Sequence, residues 1–277
     1  MRWGQTGGVL SGLAPARRRL VLGGVAVLLA VVVAVVVTVV VRASGGSAPR
    51  PVAQDRPGPV LLVPGYGGST AGLEVLARRL RAAGKDATVV ALPSGGTGDL
   101  AEQAHEVDAA AHQALARTGA ASVDVVGYSA GGVVARLWVR DDGGGSLARR
   151  VVTLGSPHHG TQLASLAGSL LPGQCPAACL QLVPDSALLT RLNSGDETPD
   201  GPTWVSIWST VDQVVTPPDS ARLDGALDLT VQSVCPRSQV PHSGLPTDRV
   251  VQGMVLAELT PSSPTPLSIV DCARLSS

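Results

Sequence analysis

The sequence predicts an α/β fold in which a mostly parallel, six-stranded sheet carries helices on both faces. From residue 59 onward, six short apolar runs alternate with segments whose apolar residues recur at helical intervals. The runs are apolar at successive positions, as in parallel strands that are buried on both sides. A serine between two glycines, Gly127-Tyr128-Ser129-Ala130-Gly131, stands where the third run gives way to a helical segment.

The N-terminal segment differs from the rest of the chain. Residues 1–19 form a basic tail, and residues 20–41 contain no charged side chain. As a helix, 20–41 would be about 33 Å long, enough to span the core of a bilayer, and it shows no polar face. We therefore predict a transmembrane signal anchor or a signal peptide there. The length favours an anchor, whereas the small residues around Ala43 leave cleavage open.

The arginines on either side of the uncharged run indicate its orientation. Arg17-Arg18-Arg19 directly precede it, whereas Arg42, Arg50 and Arg56 follow at wider spacing. On this balance the positive-inside rule favours a cytoplasmic N-terminus and an exported body. We expect a single-pass cell-membrane protein, attached through 20–41, whose main domain is extracytoplasmic, or a secreted protein if the segment is cleaved.

Composition separates a linker from a single domain. Residues 42–58 are small, polar and Pro-rich, which predicts a disordered linker, and residues 59–277 suit one domain. Of the 21 basic and 21 acidic residues in the chain, five arginines and no acids lie in residues 1–43. The body is therefore mildly acidic, and we expect no nucleic acid partner. We expect it to be a monomer.

The four cysteines, Cys175, Cys179, Cys235 and Cys272, fit two disulfides in an oxidising compartment. Three connectivities exist, and the spacing favours Cys175–Cys179 with Cys235–Cys272. Pro176 favours a pinched loop over a helical turn between the first two. A four-cysteine zinc site is disfavoured because it needs two close pairs in the sequence.

Each element follows from its residue pattern and its boundaries. Apolar runs predict strands at 59–66, 86–93, 122–128, 149–157, 203–210 and 227–234. Helical spacing predicts helices at 70–84, 99–119, 130–141 and 245–259. Asp99 is a suitable N-cap, Gly84 and Gly119 are suitable helix ends, and Pro246 fits the first turn of the last helix.

The serine at the third strand exit fits a nucleophile elbow. A sharp turn holds Ser129 in a strained conformation, so Gly127 and Gly131 are needed where a side chain would collide. The turn lifts the hydroxyl off the sheet and places the N-terminus of the next helix beneath it. We predict Ser129 as a catalytic nucleophile, with a plain Gly-rich turn as the alternative.

Two backbone N–H groups are predicted to form an oxyanion hole beside Ser129. Ala130 opens the helix, whose dipole and free N–H groups favour an anion, and Tyr66 lies in the Gly-rich loop 63–70 after the first strand. A phosphate-binding loop is the alternative. However, the loop lacks the lysine of a P-loop, and no acid ends the next strand as in a dinucleotide-binding fold.

A neutral serine needs a histidine to accept its proton. In folds with such an elbow, the base follows the acid in the sequence. His242, after the last strand and before the last helix, has the expected place and is the predicted base. His158 and His159 leave the strand beside the elbow and remain alternatives.

A carboxylate at a strand exit is needed to orient the imidazole. Asp212 follows the strand predicted at 203–210 and is the predicted acid. Asp219 more closely fits a turn residue after two prolines. Asp219 remains an alternative, as do Asp196 and Glu197.

With these residues placed, the body resembles the α/β-hydrolase superfamily, and more narrowly the small secreted bacterial triacylglycerol lipases and esterases. The matching stretches occur in the family's order: LLVPGYGGS, VDVVGYSAGG, TLGSPHHGT, STVDQVVTPP and VPHSGL. One departure is Pro64, where many relatives carry histidine. The resemblance implies ester hydrolysis through an acyl-serine, with no metal or organic cofactor for the chemistry. Some relatives carry structural calcium, but the sequence shows no compelling acid cluster for it.

The substrate depends on residues 160–202, a long insertion that is either a cap or lid over the site or a packed surface excursion. Its partly apolar runs favour a small-molecule or lipid ester with an acyl chain, without defining the chain length. Acyl transfer to a cell-envelope alcohol is an alternative reaction. A catalytically silent, exported interaction module is a third possibility, which the complete set of Ser129, Asp212 and His242 disfavours.

Overall fold

The computed structural model describes residues 15–44, 51–171 and 173–277. The chain divides into two compact units, Met1–Ala48 and Pro49–Ser277. Most of the predicted basic tail and residues 45–50 of the predicted linker lie outside the described residues. Residues 51–58 are described, and the Gln54 carbonyl accepts a hydrogen bond of 2.9 Å from Arg149 Nη1. This part of the predicted disordered linker therefore packs against the domain, because it supplies an acceptor to a buried arginine.

The first unit contains helix α1, Pro15–Ser44. Its described side chains are those of Arg19 and of residues 22–36, and all of them are exposed. Among the residues that the structure describes, none of the helices reaches the length and hydropathy of a bilayer span. The membrane segment at 20–41 extends beyond these side chains and stays a prediction.

The second unit is built on one six-stranded sheet. Its strands are β1 (Val60–Val63), β2 (Ala87–Val89), β3 (Val123–Tyr128), β4 (Ala148–Leu154), β5 (Thr203–Trp208) and β6 (Leu227–Thr230). The order across the sheet is β2-β1-β3-β4-β5-β6, and every neighbouring pair is parallel. The predicted six-stranded α/β sheet is confirmed. Its strand order reverses between β1 and β3, where open α/β sheets form their crevices.

Helices cover the sheet on both faces. They are α2 (Ala71–Ala82), α3 (Leu100–Thr118), α4 (Ala130–Asp141), α5 (Gln162–Leu170), α6 (Ala177–Gln181), α7 (Ala187–Leu192), α8 (Val231–Val234), α9 (Arg249–Glu258) and α10 (Cys272–Leu275). Strand β1 contributes Leu61 and Val63 to the core beneath α3 and α4, and Val60 and Leu62 to the core beneath α2 and α9. Burial on both faces is why the strands are apolar at successive positions.

Local capping accounts for the helix ends. The Asp99 carboxylate accepts hydrogen bonds from the N–H groups of Ala101 and Glu102, and Gly119 ends α3 in the left-handed region at φ 69°. Both features are as predicted. The last long helix starts later than predicted, at Arg249, because the Asp248 side chain caps it by accepting from Val251 N–H. Pro246 therefore precedes this helix instead of lying in its first turn.

The prediction of one strand over 227–234 is wrong in its second half. Strand β6 ends at Thr230, and α8 begins directly after it. The Thr230 side chain accepts a hydrogen bond from the Ser233 N–H, which is the arrangement of an N-cap. A capping threonine therefore overrides the β-propensity of the valines that follow.

Two disulfides, Cys175–Cys179 and Cys235–Cys272, are present with the favoured connectivity. The expectation of a pinched loop at the first is wrong, because Cys179 lies inside α6 and Pro176 is the residue that precedes its first turn. Proline is tolerated at a helix start, where its missing N–H would have no partner within the helix.

Candidate active site

Ser129 lies on the turn between β3 and α4, at the carboxyl edge of the sheet. Its backbone is in a strained region, with φ 54° and ψ −128°. A Cβ on Gly127 would come within 2.5 Å of Gly132 Cα, and one on Gly131 would collide with the Val63 carbonyl. Both glycines are therefore required by crowding around the serine, as the sequence predicts.

A third glycine is required at the same point. A Cβ on Gly65, in the loop after β1, would lie 2.8 Å from the Ser129 Cβ. The absence of a side chain lets this loop approach the serine. The close approach brings the next residue of the loop, Tyr66, to the edge of the crevice between β1 and β3.

The structure brings the three predicted side chains together. His242 Nε2 lies 3.0 Å from Ser129 Oγ, and His242 Nδ1 lies 2.6 Å from Asp212 Oδ2. Asp212 follows β5, and His242 begins a short 3-10 turn, His242–Gly244, ahead of α9. Asp212 is 5% exposed and His242 6% exposed, so water is largely excluded from this relay.

The hydrogen bonds of Asp212 indicate which ring nitrogen of His242 carries the proton. Asp212 Oδ1 accepts from the backbone N–H groups of Val214 and Val215, at 2.8 and 3.0 Å. An ionised carboxylate only accepts, so the 2.6 Å contact requires the proton on His242 Nδ1. Nε2 of the neutral ring is then free to accept from Ser129.

Tyr128 holds His242 from the side of the sheet. The two ring centroids are 5.2 Å apart, and the Tyr128 hydroxyl donates to the His242 carbonyl at 3.3 Å. Burial, together with the nearby charge of Asp212, raises the pKa of the Tyr128 hydroxyl to about 12. The hydroxyl therefore stays a neutral donor. The sequence placed Tyr128 at the site, but its contact with a residue 114 positions away could not be read from it.

The two predicted oxyanion donors belong to the loop after β1 and to the first residue of α4. Ala130 is the first residue of α4, where a backbone N–H has no partner within the helix. Among the described residues, the Tyr66 N–H donates to no acceptor. The Tyr66 side chain is exposed at the rim of the cavity described below.

The alternative histidines make other contacts. His158 is fully buried, its Nε2 lies 3.1 Å from Thr153 Oγ1, and burial lowers its pKa well below the ordinary value. His159 Nε2 lies 2.8 Å from Glu197, one of the alternative acids. These side chains therefore serve packing and surface pairing.

The other alternative acids are also engaged elsewhere. Asp219 belongs to a 3-10 turn, Pro218–Ala221. Asp196 accepts from the Thr198 N–H at 2.9 Å within its own turn. Over the residues that the structure describes, no group of three or more His, Cys, Asp or Glu side chains is arranged to hold a metal ion.

A cavity of about 250 Å³ opens beside Ser129. Its aliphatic lining comes from Pro157, Leu163, Ala164, Ala167, Leu182, Val214 and Val215. Four of these residues belong to the insertion at 160–202, on α5 or just after α6. The insertion therefore forms one wall of the site. The sequence could not distinguish this arrangement from a surface excursion, since a run of small and apolar residues fits both.

Comparisons with known proteins agree with this architecture. A family model described as lipase (class 2) matches residues 112–222, a range that includes Ser129 and Asp212 and ends before His242. A search of curated proteins found no match.

Solved structures share the fold. Lipase B of Aspergillus fumigatus is 18% identical, with a TM-score of 0.68, over 83% of this chain and 59% of that protein. The mature lipase BlEst2 of Bacillus licheniformis is 20% identical, with a TM-score of 0.61, over 78% of this chain and 96% of that protein. The chain thus spans less than two thirds of the fungal lipase. The resemblance to α/β-hydrolase lipases and esterases is confirmed, and the fold is an α/β-hydrolase fold.

Proposed function

We propose that this chain is a serine hydrolase that cleaves carboxylic esters with an acyl chain. One observation carries the proposal. A hydrogen-bonded relay from Asp212 through His242 ends on the hydroxyl of Ser129, and this hydroxyl faces an apolar cavity. The family match and the shared fold support ester hydrolysis as the reaction class.

In the first half of the reaction, Ser129 Oγ attacks the ester carbonyl while His242 Nε2 takes the hydroxyl proton. The negative charge of the tetrahedral intermediate moves to the carbonyl oxygen, which accepts hydrogen bonds from the N–H groups of Tyr66 and Ala130. His242 then gives its proton to the leaving alkoxide. The alcohol departs, and the acyl group stays on Ser129.

In the second half, water replaces the alcohol. His242 Nε2 takes a proton from the water, which attacks the acyl-serine carbonyl. Collapse of the intermediate releases the carboxylic acid and returns the proton to Ser129. Asp212 holds the imidazole in the productive tautomer and stabilises its positive charge in both halves.

The surface around the cavity favours acyl-chain esters over polar ones. Helix α5 exposes Leu163, Leu166 and Leu170, the last two at 56% and 73%. Leu163 belongs both to this exposed face and to the cavity lining. An apolar rim that continues into an apolar cavity suits an ester presented by a lipid, because both surfaces lose water together.

We also propose that the domain works outside the cytoplasm. The two disulfides support an oxidising compartment, where such bonds persist. The uncharged run at 20–41 supports attachment to the membrane if it is kept and secretion if it is cleaved.

The proposal is tested with a fluorophosphonate probe and a p-nitrophenyl ester. We expect the wild-type protein to be labelled on Ser129 and to hydrolyse the ester, and Ser129→Ala to lose both while keeping its fold by circular dichroism. Glycerol added to the reaction distinguishes water from an alcohol as acyl acceptor, because transfer yields a glyceryl ester. Ester turnover by Ser129→Ala close to the wild-type rate would refute the proposal.

A further inference from the structure

The cavity beside Ser129 offers apolar contacts and almost no free polar group. Thr161 is the buried polar residue of its wall, and its hydroxyl is fully engaged. It donates to the Val214 carbonyl at 2.6 Å and accepts from the N–H groups of Leu163 and Thr216, at 3.3 and 3.1 Å. Gln174 also lines the cavity but is exposed. A ligand in the interior therefore gains by burying hydrocarbon and not by hydrogen bonding.

A disulfide forms part of the cavity wall. Cys179 lines the cavity and is bonded to Cys175, and both cysteines are buried. Helix α5 packs against this disulfide, since a Cβ on Gly168 would lie 3.8 Å from Cys175 Sγ. The cavity wall is therefore formed jointly by α5 and by the short segment that this disulfide closes.

The volume of the cavity limits how many carbons of an acyl chain it can bury. An apolar cavity of about 150 Å³ holds the six carbons of benzene, or roughly 25 Å³ for each carbon. At that density, the cavity of about 250 Å³ holds about ten carbons.

From this volume and lining, and on the basis of the proposed ester hydrolysis, we infer that the site buries about eight to ten carbons of the acyl chain, so that longer chains gain no further rate. Ala164 and Ala167, on the face of α5 that lines the cavity, determine this length.

Ala164 and Ala167 are small side chains in the cavity wall, so a larger residue at either position would reduce the cavity volume. Ala164 is 7% exposed and Ala167 is half-buried, and both belong to the cavity wall. A leucine at either position adds three carbons to the wall, so the accepted chain shortens by about three carbons. Ala177, on α6, is exposed and does not line the cavity, so the same substitution there is a matched control.

The test measures kcat/KM of the full-length protein for p-nitrophenyl esters from acetyl to hexadecanoyl, each below its micelle concentration. For the wild type, we expect kcat/KM to rise up to about fourfold for each added methylene, until the chain reaches about eight to ten carbons. Beyond that length it should stop rising. For Ala164→Leu, the octanoyl-to-butyryl ratio should fall about tenfold or more. Ala177→Leu should keep the wild-type profile.

Fluorophosphonate labelling reports whether each variant is folded and active. If Ala164→Leu is not labelled, Ala167→Leu takes its place, because its half-buried position tolerates the added volume more easily. A rate that keeps rising to hexadecanoyl, or a leucine variant that is labelled and keeps the wild-type profile, would overturn the inference. If the wild type hydrolyses none of the esters, the proposed function fails instead.

Discussion

Each end of the sheet buries an aspartate that is hydrogen-bonded to a side-chain nitrogen, but the two pairs differ in their other partners. At the carboxyl end, His242 Nδ1 contacts Asp212 at 2.6 Å. At the amino end, the Arg149 guanidinium contacts both oxygens of Asp124, at 2.8 and 2.7 Å. Arg149 also donates to the carbonyls of Gln54, Leu259 and Thr260, so that each of its five donors has an acceptor.

This difference shows that a buried, hydrogen-bonded carboxylate does not by itself identify a functional site. The pair at the amino end is saturated and serves to fasten the N-terminal and C-terminal segments of the domain to β3 and β4. The relay at the carboxyl end finishes on a strained serine whose hydroxyl faces a cavity. The relay can carry out chemistry because it ends on a hydroxyl next to a cavity, whereas every donor of Arg149 already has an acceptor.

The largest expected effect comes from Asp212→Asn. The amide can donate to His242 Nδ1, which places the proton on Nε2, the wrong nitrogen for a base. We expect kcat for a p-nitrophenyl ester to fall about 10⁴-fold with little change in melting temperature. A loss smaller than tenfold would mean that Asp212 does not orient the histidine.

Arg149→Met should show the opposite pattern. Burial already raises the pKa of the Asp124 carboxyl against the opposing effect of Arg149, and the substitution leaves this carboxyl without its partner. We expect the free energy of unfolding to fall by about 3–5 kcal/mol, with kcat unchanged below the melting temperature. Adding Asp124→Leu should restore most of the stability, as measured by urea denaturation, whereas no recovery would argue against the pair.

The two disulfides close loops of very different length. Cys235–Cys272 closes a separation of 37 residues that contains His242, and Cys175–Cys179 closes one of 4. From loop entropy, replacing both cysteines of the longer loop with serine should lower the free energy of unfolding by about 4 kcal/mol. The same replacement in the shorter loop should lower it by about 2 kcal/mol. Urea denaturation measures both, and an equal cost would show that loop length does not govern the stabilisation.

His158 tests whether a buried histidine at the carboxyl end behaves as a structural group. Its pKa in the folded state lies well below 6.5, so the unfolded chain binds a proton that the folded chain excludes. The contribution of the neutral His158 to the free energy of unfolding is fully present above pH 6.5. It should fall by roughly 1 kcal/mol for each pH unit below that value. His158→Gln should remove this contribution, and a slope identical to that of the wild type would contradict the assignment.

The smallest effect is expected for Tyr128→Phe. The ring that packs on His242 remains, and only the 3.3 Å hydrogen bond to its carbonyl is lost. We expect kcat to fall by less than about tenfold. Because burial raises the pKa of the Tyr128 hydroxyl to about 12, the pH profiles of variant and wild type should be parallel up to pH 10. Divergence below that pH would give Tyr128 a role in proton transfer.

Much of the site could be predicted because each of its parts has a local signature. The strain at Ser129 demands glycines two positions away on either side, and the order of serine, acid and histidine follows the order of the strands. The wrong prediction for the second half of 227–234 also has a local cause. The Thr230 hydroxyl caps a helix there, a signal that the valines around it concealed.

The sequence by itself determined the alternation of strands and helices and the elbow at Ser129, because periodicity and backbone strain act between neighbours in the chain. Only the tertiary structure decided that Arg149 is saturated, that Tyr128 supports His242, and that the insertion forms a wall of the cavity. Those properties depend on which distant groups meet, and hydrogen-bond saturation and enclosed volume exist only after they have met.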